Sequence, residues 1–430
     1  MSSFDLSVLL FLQLAFILTV CRATALVFKR LGQSQVVSEM IAGVLMGPSL
    51  MGWLWPEWSA YLFPAESKPI LFALSQVGLV LYMFLIGVEF DLDLIKSRMR
   101  SAASVSLAGI VVPFSLGAAL ASYLVGDSQL FSARTTVMQA MLFMGAAMSI
   151  TAFPMLARII FEQGLSKTAL GTLALAAGSL DDAAAWCVLA VVLASFQNRP
   201  ELAVYAIGGG LLFGALALLG LRRWLRPLGQ KVEQEGEISP ALLVFVLALV
   251  MLGAWFTDYI QIYAVFGAFV MGIAMPRGKF AAELHRTIYP LTTAFLLPVF
   301  FVYSGLNTRI GLLNTVSLWL LAGVVLLAAT LGKGVACYAA ARWHGESHRE
   351  AMAVGALMNA RGLMELIILN IGLQRGIIEP GLFAIMVMMA IITTLMATPI
   401  FERVYGKPAR RLQQQPGGRV RPDSQNAASE

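Results

Sequence analysis

Charge is scarce in this chain. Of 430 residues, only 13% are Asp, Glu, Lys or Arg, while 59% are hydrophobic. A soluble globular domain is about 25% charged and about 45–50% apolar. The excess apolar surface must therefore face something other than water. Cysteine is also scarce. Cys21, Cys187 and Cys337 all lie in apolar segments, without the spacing of a metal site or a disulfide framework. Histidine is limited to His285, His344 and His348, all between the long apolar runs. No metal-ligand cluster and no nucleophile–base pairing stands out, which leaves an enzyme far behind other readings, and no cofactor is expected. No strand–Gly-x-Gly-x-x-Gly–helix segment is present. "GGGLLFG" at 208–214 has the wrong spacing and falls inside an apolar run. No basic segment or small-residue cleavage site surrounds the first apolar run, so it reads as a retained helix.

Long apolar runs are abundant. Thirteen are long enough to be spans of a hydrocarbon core of about 30 Å, at about 6–28, 34–51, 69–90, 101–125, 133–157, 168–196, 201–221, 239–256, 260–275, 287–305, 312–341, 350–373 and 378–401. The fold class expected is an all-α integral membrane protein. Loops on one side carry about 22 Lys and Arg, from Lys29/Arg30 to Arg419 and Arg421, against about five on the other (Lys68, Arg134, Arg199, Arg309 and Arg375). The positive-inside rule places the rich side in the cytoplasm. The N-terminus is then outside and the C-terminus inside, which an odd number of spans requires. The net charge of +6 thus follows membrane orientation, and no nucleic-acid partner is expected.

Three basic residues fall inside spans. Arg22 is near enough to an end to snorkel. Lys333 lies nine residues from Arg342, about 13 Å along a helix, and Arg361 lies near the middle of its span, as do Asp181, Asp182 and Glu365. Each such charge costs at least about 2.5–3.5 kcal/mol in the membrane, so these groups are expected to pair or to line a water-filled cavity. Asp181 and Asp182 point about 100° apart on a helix, so one countercharge cannot satisfy both. Lys333 is either a structural counterion or part of the site. Arg361 and Glu365, spaced i, i+4, can neutralise one another. Glu39 and Glu89 lie near span ends and read as solvated termini, and the histidines as solvated surface.

Two spans carry helix-breaking signals. "SITAFPMLAR" holds Ser149, Thr151 and Pro154, and proline removes a backbone donor. "LMNARGLMEL" holds Asn359 and Gly362 around Arg361. Interrupted segments at mid-membrane mark discontinuous helices that expose half-helix ends toward an ion site. These are the fifth and twelfth spans, which cross the membrane in opposite directions. Spans 4–6 and 11–13 are therefore expected to be inverted repeats with two crossed discontinuous helices.

The segments "MGAAMSITAFPMLARIIFEQGL", "ALAAGSLDDAAAWCVLA", "YAVFGAFVMGIAMPRGK", "FLLPVFFVYSGLNTRIG" and "MNARGLMELIILNIGLQRGII" resemble the monovalent cation:proton antiporter-2 family, and within it the plant-type cation/H⁺ exchangers, over almost the whole chain. The resemblance implies a sodium–proton antiporter fold in a single transporter domain. It implies a dimerising scaffold at about 6–90 and 239–305, and a mobile core at about 101–196 and 312–401 that exposes one site to each side in turn. It implies that Asp182 binds the cation or a proton, that Asp181 is its partner acid and pairs with Lys333, and that Thr151 lies beside the site. Apart from the resemblance, Arg361 and Glu365 are expected to be charge-compensating residues. Residues 402–430 are expected to be a short disordered cytoplasmic tail. Many plant exchangers of this group carry Asn where Asp181 stands, and potassium-efflux relatives carry Gln and a nucleotide-binding domain. The departure at Asp181 leaves Na⁺ versus K⁺ and the net charge moved open.

The function expected is exchange of Na⁺ or K⁺ for H⁺ by alternating access in the cell inner (plasma) membrane, by a homodimer. Two protons per cation would move one net charge, worth about 2.3 kcal/mol per 100 mV. A proton-uncoupled cation channel and a Na⁺-coupled organic solute symporter are the alternatives. Current without pH change would select the first, and Na⁺-dependent uptake of an organic anion the second.

Overall fold

The computed structural model describes residues 2–30, 35–90, 92–166, 168–197, 200–260, 262–306 and 315–414. Lys167, Arg199 and Arg309, and residues 415–430 of the expected tail, lie outside the described residues.

The chain runs through helices α1 (Ser3–Lys29), α2 (Gln35–Met46), the short α3 (Met51–Leu54) and α4 (Pro56–Leu62), α5 (Lys68–Glu89), α6 (Leu92–Leu124), α7 (Val137–Ser149), α8 (Phe153–Glu162), α9 (Ala169–Gln197) and α10 (Pro200–Ala215). It continues through α11 (Arg222–Glu235), α12 (Pro240–Tyr259), α13 (Ala264–Ala274), α14 (Lys279–Leu291), α15 (Leu297–Leu306), α16 (Val316–Trp343), α17 (His348–Met358), α18 (Leu363–Gln374) and α19 (Pro380–Gln414). Wider π-helical turns at Leu216–Leu221 and Thr292–Leu296 join α10 to α11 and α14 to α15 without a break. Among the described residues there is no sheet, only an isolated bridge between Phe131 and Ile378.

Every expected span corresponds to a helix or to a pair of consecutive helices. Nine helical stretches among the described residues are long and apolar enough to cross a membrane, and α7 and α13 are shorter apolar helices. The starts are capped as the sequence dictates. Thr136 and Gln139 form a capping box at α7, Ser347 and Glu350 form one at α17, and Ser239 precedes Pro240 at α12.

α19 continues as helix to Gln414, with Tyr405 buried against Phe401, so residues 402–414 are ordered helix where a disordered tail was expected.

Two sets of helices pack closely. In one, α5 lies against α13 and α15, and α2 against α1 and α15. Here Gly87 meets Gly272 and Gly43 meets Gly305. A Cβ on Gly272 would sit 2.1 Å from Phe84 O, and one on Gly305 would sit 2.2 Å from the carbonyl carbon of Gly43. Only hydrogen permits these backbones to touch, the close approach that small residues give membrane helices. In the other set, α6 packs against α7, α9 and α16, and α16 against α17 and α19. The two interrupted helices, α7–α8 and α17–α18, lie in this second set.

Candidate functional site

The site is built where the two interruptions cross. α7 ends at Ser149, residues 150–152 are extended or irregular, and α8 starts at Phe153 with Pro154 in its first turn, where a missing N–H costs nothing. α17 ends at Met358, residues 359–362 are unwound, and α18 starts at Leu363. The breaks touch. Ala152 N donates to Ala360 O at 3.1 Å, and Thr151 Oγ1 to Met358 O at 3.3 Å. A Cβ on Gly362 would lie 3.0 Å from Ala152 Cβ, so glycine lets the second break pass the first.

An unwound helix end leaves carbonyls without partners and carries partial negative charge. At the end of α7, two cations take those carbonyls. Arg361 donates to Ala147 O at 3.1 Å, to Met148 O at 2.7 Å and to Ile150 O at 3.5 Å. Lys333 donates to Ser149 O, and also to Gly109 O at 3.0 Å. Both side chains are fully buried.

Lys333 completes its set with a carboxylate, its Nζ lying 3.0 Å from Asp181 Oδ2. The same oxygen accepts from Thr151 Oγ1. Asp181 is fully buried, and its Oδ1 accepts no hydrogen bond among the described residues. Asp182, the next residue on α9, is only 5% exposed. Glu365 is fully buried in the first turn of α18, a helix start that favours an acid. It lies 3.6 Å from Arg361 Nη1, and its oxygens accept no hydrogen bond among the described residues.

All six expected residues are thus buried: Thr151, Arg361 and Glu365 on the crossing segments, and Asp181, Asp182 and Lys333 on α9 and α16, which pack against them. Asp181, Thr151 and Lys333 are joined directly. The expected i, i+4 neutralisation of Arg361 and Glu365 is present only as a long ion pair, because the guanidinium hydrogen bonds go to the end of α7. The oxygens of two adjacent acids and a threonine beside them are hard ligands suited to an alkali cation or a proton.

Sequence reasoning missed several contributors. Thr394 on α19 accepts from Arg361 N at 2.9 Å and donates to Arg361 O at 2.8 Å, which holds the unwound segment. The triplet Thr393, Thr394 and Thr398 stands out within an apolar span, but threonines there can bond their own helix, as Thr393 does. Glu39 is not a solvated terminus. It is buried and takes Arg158 in two bonds of 2.9 and 3.1 Å, with the guanidinium 5.5 Å from the Phe301 ring centre. Arg158, counted with the loop cations, is only 4% exposed. Glu89 and His285 also pair, at 2.7 Å, and His348 Nδ1 lies 2.9 Å from the Tyr338 hydroxyl. Apart from Tyr338 and His348, these contacts join residues far apart in sequence, where spacing carries no signal.

A membrane-length helical bundle with two crossed, interrupted helices and buried acids beside them belongs to the class of ion-coupled transporters. Residues 15–405 match the family model described as "Sodium/hydrogen exchanger, transmembrane". The chain belongs to this sodium/hydrogen exchanger family, a family of transporters and not of enzymes. It is 40% identical over 395 residues to the Na⁺/H⁺ antiporter NhaS4 of Synechocystis sp., covering 91% of this chain and 96% of that one. It is 35% identical over 416 residues to cation/H⁺ antiporter 20 of Arabidopsis thaliana, covering 94% of this chain and 49% of that one. The Na⁺/H⁺-K⁺ antiporter GerN of Bacillus cereus is 28% identical over 409 residues, with 92% and 96% covered. The chain thus spans about half the length of the plant relatives and nearly all of the bacterial ones. The fold is similar to that of the sodium proton antiporter MjNhaP1 from Methanocaldococcus jannaschii, with a TM-score of 0.64 at 14% identity, covering 95% of this chain and all of that one.

Proposed function

We propose that this protein is a secondary antiporter that exchanges Na⁺ or K⁺ for protons, with Asp181 and Asp182 as the shared binding groups. The observation that carries the reading is the buried Asp181–Lys333 pair at the crossing, with Asp182 beside it. A cation and a proton compete for the same carboxylate oxygens. Either ligand removes enough negative charge for the site to pass an apolar barrier, whereas the ionised empty site bears the large cost of bare charge in a low dielectric. That asymmetry makes exchange obligatory. Thr151 helps to hold Asp181 in place. Lys333, Arg361 and Glu365 keep the charge of the crossing balanced as the acids load and unload. A proton traded between Asp181 and Lys333 would make exchange electrogenic.

The names of the relatives, Na⁺/H⁺, cation/H⁺ and Na⁺/H⁺-K⁺ antiporters, support the substrate class. In this reading the mobile core comprises about 101–196 and 312–401. The scaffold, about 6–90 and 239–305, meets a second copy. The cycle is alternating access across the plasma membrane, with the basic-rich face and the C-terminus in the cytoplasm and the N-terminus outside. The test is reconstitution in vesicles with a pH-sensitive dye, followed by addition of Na⁺, K⁺ or Li⁺. Wild type should give cation-dependent proton flux, and Asp182→Ala should give none with any cation. Full exchange by Asp182→Ala would refute the site, and current without pH change would replace the antiporter by a channel.

A further inference from the structure

The helix that joins α9 to α12 has an outer face that changes character along its length. Leu212, Leu216 and Leu219 are 60%, 62% and 77% exposed. At three- and four-residue spacing they form one stripe, as expected of a face toward lipid tails. The same stripe continues through the π-turns into Arg223 and Arg226, both exposed. Arg222 and Arg223 open α11, and Trp224, 62% exposed, stands among them with its ring 5.9 Å from Phe245. Leucines giving way to arginines and a tryptophan along the helix mark the depth where acyl chains give way to headgroups.

Two further observations converge on that depth. First, an open apolar groove of about 240 Å³ runs beside the π-turn, between this helix, α12 and α13, with Leu216, Leu221, Leu249, Leu252 and Met271 among its walls. Its end at Leu221 adjoins Arg222 in sequence. Second, Arg222, Arg223 and Arg226 form no ion pair among the described residues. The nearby charges on α11 are already engaged. Lys231 pairs with Glu235 at 3.7 Å, and Glu233 takes Lys279 N at 3.2 Å and, through its carbonyl, Lys279 Nζ at 3.3 Å. Leu225 and Val232 bury the opposite face of α11, so the arginines stand on a fixed platform.

We infer that this place is a binding site for one anionic glycerophospholipid, with an acyl chain in the groove and the headgroup phosphate on Arg222, Arg223 and Arg226. Guanidinium groups suit phosphate in both charge and fork geometry. The occupant is a membrane lipid because the arginines follow directly on the groove's wall residue Leu221 along one helix, an apolar neighbour that a soluble phosphate would not require. Such a lipid would brace the connection between the helix that carries Asp181 and Asp182 and the helices beyond it.

The experiment titrates the purified full chain in detergent with phosphatidylglycerol, phosphatidylcholine or inorganic phosphate. Retained lipid is read by native mass spectrometry, and the unfolding midpoint is followed in parallel. Phosphatidylglycerol should be retained and should raise the midpoint by several degrees, while the neutral lipid and free phosphate should do neither. Replacing all three arginines by glutamine should weaken phosphatidylglycerol retention about 100-fold, each arginine near an anionic headgroup being worth about fivefold. R226Q alone changes one exposed residue and should cost about fivefold even if the triple variant folds poorly. Leu252→Trp, which fills the groove from its rim, should also weaken retention with the arginines intact. Equal retention of the neutral lipid, a midpoint rise with phosphate alone, or undiminished retention in the arginine variants would each overturn the site.

Discussion

Lys333 serves two backbone carbonyls and one carboxylate from a fully buried position. That geometry explains how a lysine at mid-span is tolerated. Its charge is matched by Asp181, and its remaining protons go to the open end of α7 and to Gly109. Removing it should do more than delete one ion pair, because Asp181 would be left as a buried carboxylate and Ser149 O would lose its donor. Lys333→Ala is expected to cost about 3–5 kcal/mol, read as a lowered unfolding midpoint. The double change Lys333→Met with Asp181→Asn should recover most of that loss, because no charge is then stranded. A double variant as unstable as Lys333→Ala would show that packing rather than charge holds the residue. Arg361 follows the same physics with a different tool. Its planar fork reaches three carbonyls of one helix end, which a lysine could not do.

Helices α2 and α8 meet through the two-bonded Glu39–Arg158 pair, buried on both sides. α8 is the second half of an interrupted helix at the site, whereas α2 packs with α1 and α15. The pair therefore ties the half-helix beyond the crossing to the other set of helices. Phe153 at the start of α8 reinforces this junction by packing edge-on against Phe269 of α13, at 5.3 Å between ring centres. Truncating one partner leaves the other charged and buried. Glu39→Gln and Arg158→Gln should each lower stability by about 3–5 kcal/mol. In a double-mutant cycle, the doubly substituted chain should be more stable than the sum of the single losses. Additive losses in the unfolding midpoint would mean that the two side chains do not act on one another.

For the molecule as a whole, much of the fold could be read from apolar runs and their interruptions. Run length reports spans because the bilayer imposes one thickness, and Pro154 and Gly362 flagged the two breaks because each alters local backbone rules. Asp181, Asp182, Lys333, Arg361 and Glu365 were legible because charge at mid-span is costly wherever it occurs. Thr394 and the Glu39–Arg158 pair were not. A threonine in a membrane helix can bond its own backbone, as Thr393 does, and a charge near a span end normally finds water, so neither pattern signals a distant partner. The helical continuation to Gln414 escaped because a polar helix end and a tail have similar composition. The central claim is that the ionised, empty site does not cross the membrane. It is tested most directly by labelled Na⁺ efflux from vesicles into a medium that is alkaline and free of alkali cations. Efflux should stall there and resume when either unlabelled Na⁺ or acid is supplied outside. Efflux that proceeds at full rate with neither ligand present would contradict the account.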